Sequence, residues 1–71
     1  MKAIKGIQVD VYPDRSATGW NFLVQREAPT PEGEPHLSMS GHAVERAHAL
    51  AMAERMAKVL RLELRGFGVK L

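Results

Sequence analysis

Apolar and polar residues alternate along the first quarter of the chain. In "IQVDVY", Ile7, Val9 and Val11 are separated by Gln8 and Asp10. A period of two places the three aliphatic side chains on one face of a strand. Ile4 has the opposite parity, and Gly6 between the two is a candidate bulge. "PDRSATG" then supplies Pro, Asp, Ser and Gly, residues that favour turns through fixed φ, side-chain hydrogen bonds or freedom at positive φ. "WNFLVQRE" resumes the alternation, with Trp20, Phe22 and Val24 inward and Asn21 and Gln25 outward. Two such runs across a turn-rich connection predict an antiparallel hairpin.

"APTPEGEP" is a loop, because its closely spaced prolines exclude both helix and central strand. "HLSMS" is a candidate short third strand with Leu37 and Met39 on one face. From about Gly41 to about Leu60 the chain is rich in Ala, Met, Leu, Glu, Arg and Lys, all good helix formers. Ser40 is the expected N-cap, without the glutamate three residues on that would complete a capping box. At about 100° per residue, Ala49, Met52, Ala53, Met56 and Leu60 form one apolar stripe, with Val59 on its flank. Glu54, Arg55, Lys58 and Arg61 fall on the other side, and Glu54 with Lys58 has the spacing of a favourable pair. In "RLELRGFGVKL", Leu62 and Leu64 alternate with charged residues. Phe67, Val69 and Leu71 then continue on the other parity, so a closing strand bent at Gly66 to Gly68 is expected. The order β-β-(β)-α-β predicts an α+β fold: an antiparallel sheet of three to four strands with one helix on one face. Gln8, Asp10, Asn21 and Gln25 suit an opposite face left to water.

Length sharpens this picture. The 71 residues make one domain, 1–71, with one small core. Apolar content of 45% and charged content of 25% are those of a globular chain. The absence of cysteine removes disulfides, thiolate ligands and a cysteine nucleophile together, and fits a cytoplasmic protein. No run approaches the roughly 20 apolar residues of a membrane span, and the N-terminus lacks a secretory apolar core. Net charge is only +2, yet it is distributed unevenly. Residues 1–26 carry +2, residues 27–45 carry −4 and residues 46–71 carry +4. An acidic middle and a basic C-terminal third suit an anionic partner or a second copy of the chain.

Candidate chemistry centres on "HAVERAH". Two histidines at helical spacing i and i+4 bind one zinc ion, but His42 and His48 are six apart, about 9 Å along a helix axis. Two rings so displaced do not reach one ion at bond distance, and His36 lies outside the helix, so no metal site is expected. Glu45 suits the positive end of the helix dipole, and His42 and His48 are better placed for an interface than for a catalytic pocket. No triad context, "GxSxG" or phosphate-binding loop is present, and "GFG" falls short of a dinucleotide fingerprint. Neither catalytic residues nor cofactors are expected. The aromatics fall mostly on inward parity and are expected in the core.

"GWNFLVQRE", "SGHAVERAHALA" and "ELRGFGVKL" together resemble a family of short bacterial domains without assigned chemistry. These have a Gly-Trp strand, a short strand, a Ser/Thr-capped helix and a closing strand containing glycine. The likeness covers residues 12–71, departs at the "APTPEGEP" loop and at Ala43, and implies no catalytic residues. Very small phage proteins that inhibit host defence complexes share this size and build.

The reading that follows is a non-enzymatic interaction module that binds protein, in the first place a second copy of itself. Ile4 and Leu23, apolar residues on the nominally wet face, are the candidate interface. The alternative is a nucleic-acid-binding accessory protein using Arg55, Lys58, Arg61 and Arg65.

Overall fold

In the computed structural model, which describes residues 6–16, 18–27, 31–34 and 36–69, the two alternating runs pair as a hairpin. Strand β1 (Ile7–Pro13) runs antiparallel to β2 (Trp20–Arg26), with Val9 opposite Val24 and Val11 opposite Phe22. Strand β3 (Ser38–Ala43) pairs antiparallel with the other side of β2, so the sheet order is β1-β2-β3. Helix α1 (Arg46–Gly66) lies across one face and touches all three strands. The fold class is therefore α+β: a three-stranded antiparallel sheet covered by one helix.

The core sits between these two layers. Ile7, Phe22, Val24 and Ala43 face Ala49, Ala53, Ala57, Leu60 and Leu64 of α1, and Val69 closes one end. Three alanines, each one helical turn after the last, leave little side chain between helix and sheet, so the layers approach closely. Met52 and Met56, expected on the central stripe, are only partly buried, whereas Ala57 is fully buried. Val59 is 47% exposed. On the sheet's other face, three cross-strand rows run Gln8–Gln25–Ser38, Asp10–Leu23–Ser40 and Tyr12–Asn21–His42. This is the polar face expected from the alternation.

The expected helix start is corrected. Ser40 to Ala43 do not open the helix; they extend β3 along β2, with Gly41 opposite Phe22 and Ala43 opposite Trp20. The chain bends at Val44 and Glu45, and Glu45 rather than Ser40 is the N-cap residue. Its backbone is extended and its side chain makes no capping bond, so its carboxylate meets the helix only through the dipole. The first helical bond runs from the Ala49 amide to the Glu45 carbonyl at 3.0 Å.

The helix end is corrected as well. Leu62 and Leu64 belong to α1, not to a closing strand, and helical geometry separates them: Leu62 is 68% exposed and Leu64 fully buried. Leu64 continues the buried stripe four residues after Leu60. The terminator is Gly68, at φ +85°, a conformation glycine adopts without Cβ strain. The Gly68 amide donates to the Arg65 carbonyl and the Val69 amide to the Leu64 carbonyl, both at 3.0 Å. With Val69 and Leu64 both buried, this is a Schellman motif complete with its hydrophobic contact. Lys70 and Leu71 of the expected closing strand, Ile4 at the start and residues 28–30 and 35 of the proline loop lie outside the described residues. Arg26 and Glu34 clasp the two sides of that loop with an ion pair at 2.5 Å.

Candidate functional site

The two histidines of "HAVERAH" stand on different elements. His42 is in β3, where the turn between β1 and β2 meets it: its Nε2 lies 2.9 Å from the Thr18 carbonyl oxygen. His48 is exposed in the first turn of α1. Among the described residues no three His, Cys, Asp or Glu side chains come together as a metal-binding group.

The turn beside His42 is tied together by Asp14. Its carboxylate accepts from the backbone amide and hydroxyl of Ser16 and, at 2.8 Å, from the Asn21 side-chain amide. The Ser16 hydroxyl and then the Asn21 amide hold the Asp14 pKa below its ordinary value of 3.8, because each bond favours the charged form. Those bonds occupy Asp14 within its own turn.

The basic residues separate into two groups. Lys58, Arg61 and Arg65, with Leu62 between them, line a shallow hollow of about 280 Å³ on the exposed side of α1. Arg55, expected with them, does not line it. Glu54 and Lys58 form no ion pair, and the Nε of Arg61 is buried without a hydrogen-bond partner. Arg46 is placed differently, with its guanidinium 5.8 Å from the centre of the Trp20 ring. Trp20 is half-buried and Phe22 is core, in line with their inward parity; Tyr12 has the outward parity of Gln8 and Asp10 and is 46% exposed, whereas Phe67, expected inward, is 61% exposed.

Leu23 is where the alternation puts it, half-buried at the centre of the open sheet face between Asp10 and Ser40. The sequence reading missed a second feature, the cleft between β1 and α1. Val9, Asp10 and Val11 of the strand and Arg46 and Leu50 of the helix line about 380 Å³ there. Val9 and Val11 face the helix but remain half-buried, because β1 is an edge strand and, among the described residues, no neighbouring strand shelters them. Strand order carried the missing information, and alternation alone does not contain it. No helix is long and apolar enough to cross a membrane among the described residues.

Together these features define a small α+β domain with a basic helix flank and a sheet whose two edges are uncovered among the described residues. No protein-family model matches the chain, and no curated protein or solved structure matches it either. The resemblance to short bacterial domains rests on the sequence pattern alone.

Proposed function

We propose that the chain is a small, non-enzymatic, cytoplasmic interaction module that binds protein, and that its first partner is a second copy of itself. The observation that carries this is the mismatch between core and exposed sheet. The largest fully buried side chains are only Phe22, Leu60, Leu64 and Val24, while one sheet face and both sheet edges are uncovered among the described residues. A domain of this size gains only a few kcal/mol from such a core, and association is a usual remedy. Light scattering across a dilution series tests it. The expected mass is twice 7.9 kDa at high concentration, and a mass of 7.9 kDa throughout would refute it.

The hollow on α1 favours one further reading, nucleic-acid binding through the phosphate backbone. Lys58, Arg61 and Arg65 span about 10 Å of helix, enough for about three phosphates of one strand. Among the described residues no carboxylate is ion-paired to any of them. Binding to duplex would then weaken with salt at a logarithmic slope near −2.7. Replacing Lys58, Arg61 and Arg65 by Gln would flatten that slope. A wild-type protein not retained on DNA or RNA at low salt would end this reading.

A further inference from the structure

The free edge of β1 has a definite chemistry, set by the phase of its ladder with β2. The Glu27 amide donates to the Gly6 carbonyl at 3.0 Å and the Asp14 amide to the Gly19 carbonyl at 3.1 Å. Directly opposed residues in an antiparallel pair alternate between bonded and non-bonded. Given the register, Gln8, Asp10 and Tyr12 therefore spend their backbone groups on β2. Ile7, Val9 and Val11 turn their amides and carbonyls outward, and among the described residues no strand receives them. Pro13 ends the row, having no amide to offer.

We infer that a second copy of the chain occupies this edge, adding its own β1 antiparallel with Val9 opposite Val9. This rests on the self-association proposed above and specifies its place and register. In that register each Ile7 faces the partner copy's Val11, so all three outward residues on each strand lie in bonded pairs, and each pair exchanges two hydrogen bonds. Gln8 falls opposite Asp10 in both directions. These two already share a hydrogen bond at 3.0 Å along one strand, so the same donor and acceptor meet across the interface. Sliding the register so that Val9 faces Val11 sets Asp10 against Asp10, a like-charge contact, and Ile7 against Pro13, which cannot donate.

The side chains agree with the backbone. Val9, Ile7 and Val11 of the incoming strand lie on the helix-covered face, beside the cleft whose walls are Val9, Val11, Leu50 and Arg46. The opposite edge is a poorer host. The same ladder phase turns Ser38, Ser40 and His42 outward on β3, and the helix-facing residues there are Met39, Gly41 and Ala43. Pairing β1 with β3 would also leave a free edge at each end and grow into an open chain of copies, whereas β1 on β1 closes as a dimer. The two-fold axis then stands perpendicular to the sheet. The product is one six-stranded sheet, β3-β2-β1-β1-β2-β3, with both helices on the same face.

Because the Val9 amide takes no part in the β1–β2 ladder, Val9→Pro removes a donor that only the partner uses. Each dimer loses two such hydrogen bonds, so dissociation should become about thirtyfold easier. Far-ultraviolet circular dichroism of the variant should stay that of the folded chain. Ser40→Pro, the same change on the β3 edge, should leave the dimer intact. The chain contains no cysteine, so single cysteines report register cleanly. A bonded pair holds its Cα atoms about 5.5 Å apart, within disulfide reach. Val9→Cys should therefore oxidise to a covalent dimer faster than Val11→Cys, and this comparison decides the matter even if Val9→Pro unfolds. A Val9→Pro dimer as tight as wild type, dissociation by Ser40→Pro instead, or faster cross-linking at position 11 would overturn the β1 register while self-association stood. Wild-type protein that is monomeric at every concentration would overturn both.

Discussion

The contact between Gly41 and Phe22 offers a sharp test of how the sheet and helix fit. Gly41 lies directly opposite Phe22, and the fully buried ring crosses the space where a side chain at 41 would stand. A Cβ added there would collide with Cζ of that ring and lie 2.8 Å from its Cε2. The ring has little freedom to yield, since it is packed in the same core as Ala49 and Ala53. Gly41→Ala should therefore force an overpacking cost of about 1–3 kcal/mol. Against it stands a gain of about 0.4–1 kcal/mol from the stiffer unfolded chain. A net loss near 1.5 kcal/mol remains, which for a chain of this length lowers Tm by about 10 °C. The assay is thermal unfolding followed by circular dichroism at one fixed protein concentration, because dimerisation couples stability to concentration. Phe22→Leu removes the ring atoms nearest position 41. The double variant should therefore lose about 1 kcal/mol less than the two single losses combined. An unchanged or raised Tm for Gly41→Ala would refute the idea that glycine at 41 is required by the ring.

Three further outcomes test other parts of the fold. Leu64→Ala should cost about 2–5 kcal/mol in chemical unfolding, whereas Leu62→Ala should stay within about 0.5 kcal/mol; equal losses would restore a strand that presents both residues on one face. Gly68→Ala should destabilise by about 1–2 kcal/mol because its φ of +85° strains a Cβ, although nothing lies within 4 Å of it. Gly66→Ala, also in open space but helical, should stabilise by up to about 1 kcal/mol, and the same sign at both positions would contradict the cap. The Asp14 pKa is lowered in the folded state, so its contribution to stability is present above the unfolded value of 3.8 and is lost as pH falls through the folded one. Asn21→Ala should raise the Asp14 titration midpoint read by carboxyl NMR, and an unmoved midpoint would remove Asn21 as a cause.

The hairpin, its buried face and the presence of a long amphipathic helix were determined by the sequence alone. Seven-residue strands with strict alternation have one way to bury Ile7, Phe22 and Val24 together, and a one-residue slip would expose them all. The basic flank of the helix was legible in part: a period of 3.6 places Lys58 and Arg61 on one side, whereas Arg65, read as part of a closing strand, joins them only because the helix continues to Gly66. Its ends were not. "HAVERAH" has helix-forming composition, yet His42 and Ala43 pair with β2, since propensity differences below about 1 kcal/mol per residue yield to ladder bonds and to a glycine placed beneath Phe22. "LEL" alternates like a strand, yet four-residue spacing from Leu60 to Leu64 continues the helical stripe, and only a sheet in place beneath it chooses between the two periods. Gly66 to Gly68 read as a bend in a closing strand, and Gly68 becomes the helix terminator only where Leu64 and Val69 meet in the core. Tertiary structure alone decided that β1 lies at an edge. Side-chain alternation records which face a residue takes, and strand order, a property of non-local pairing, records which backbone groups are left without a neighbour.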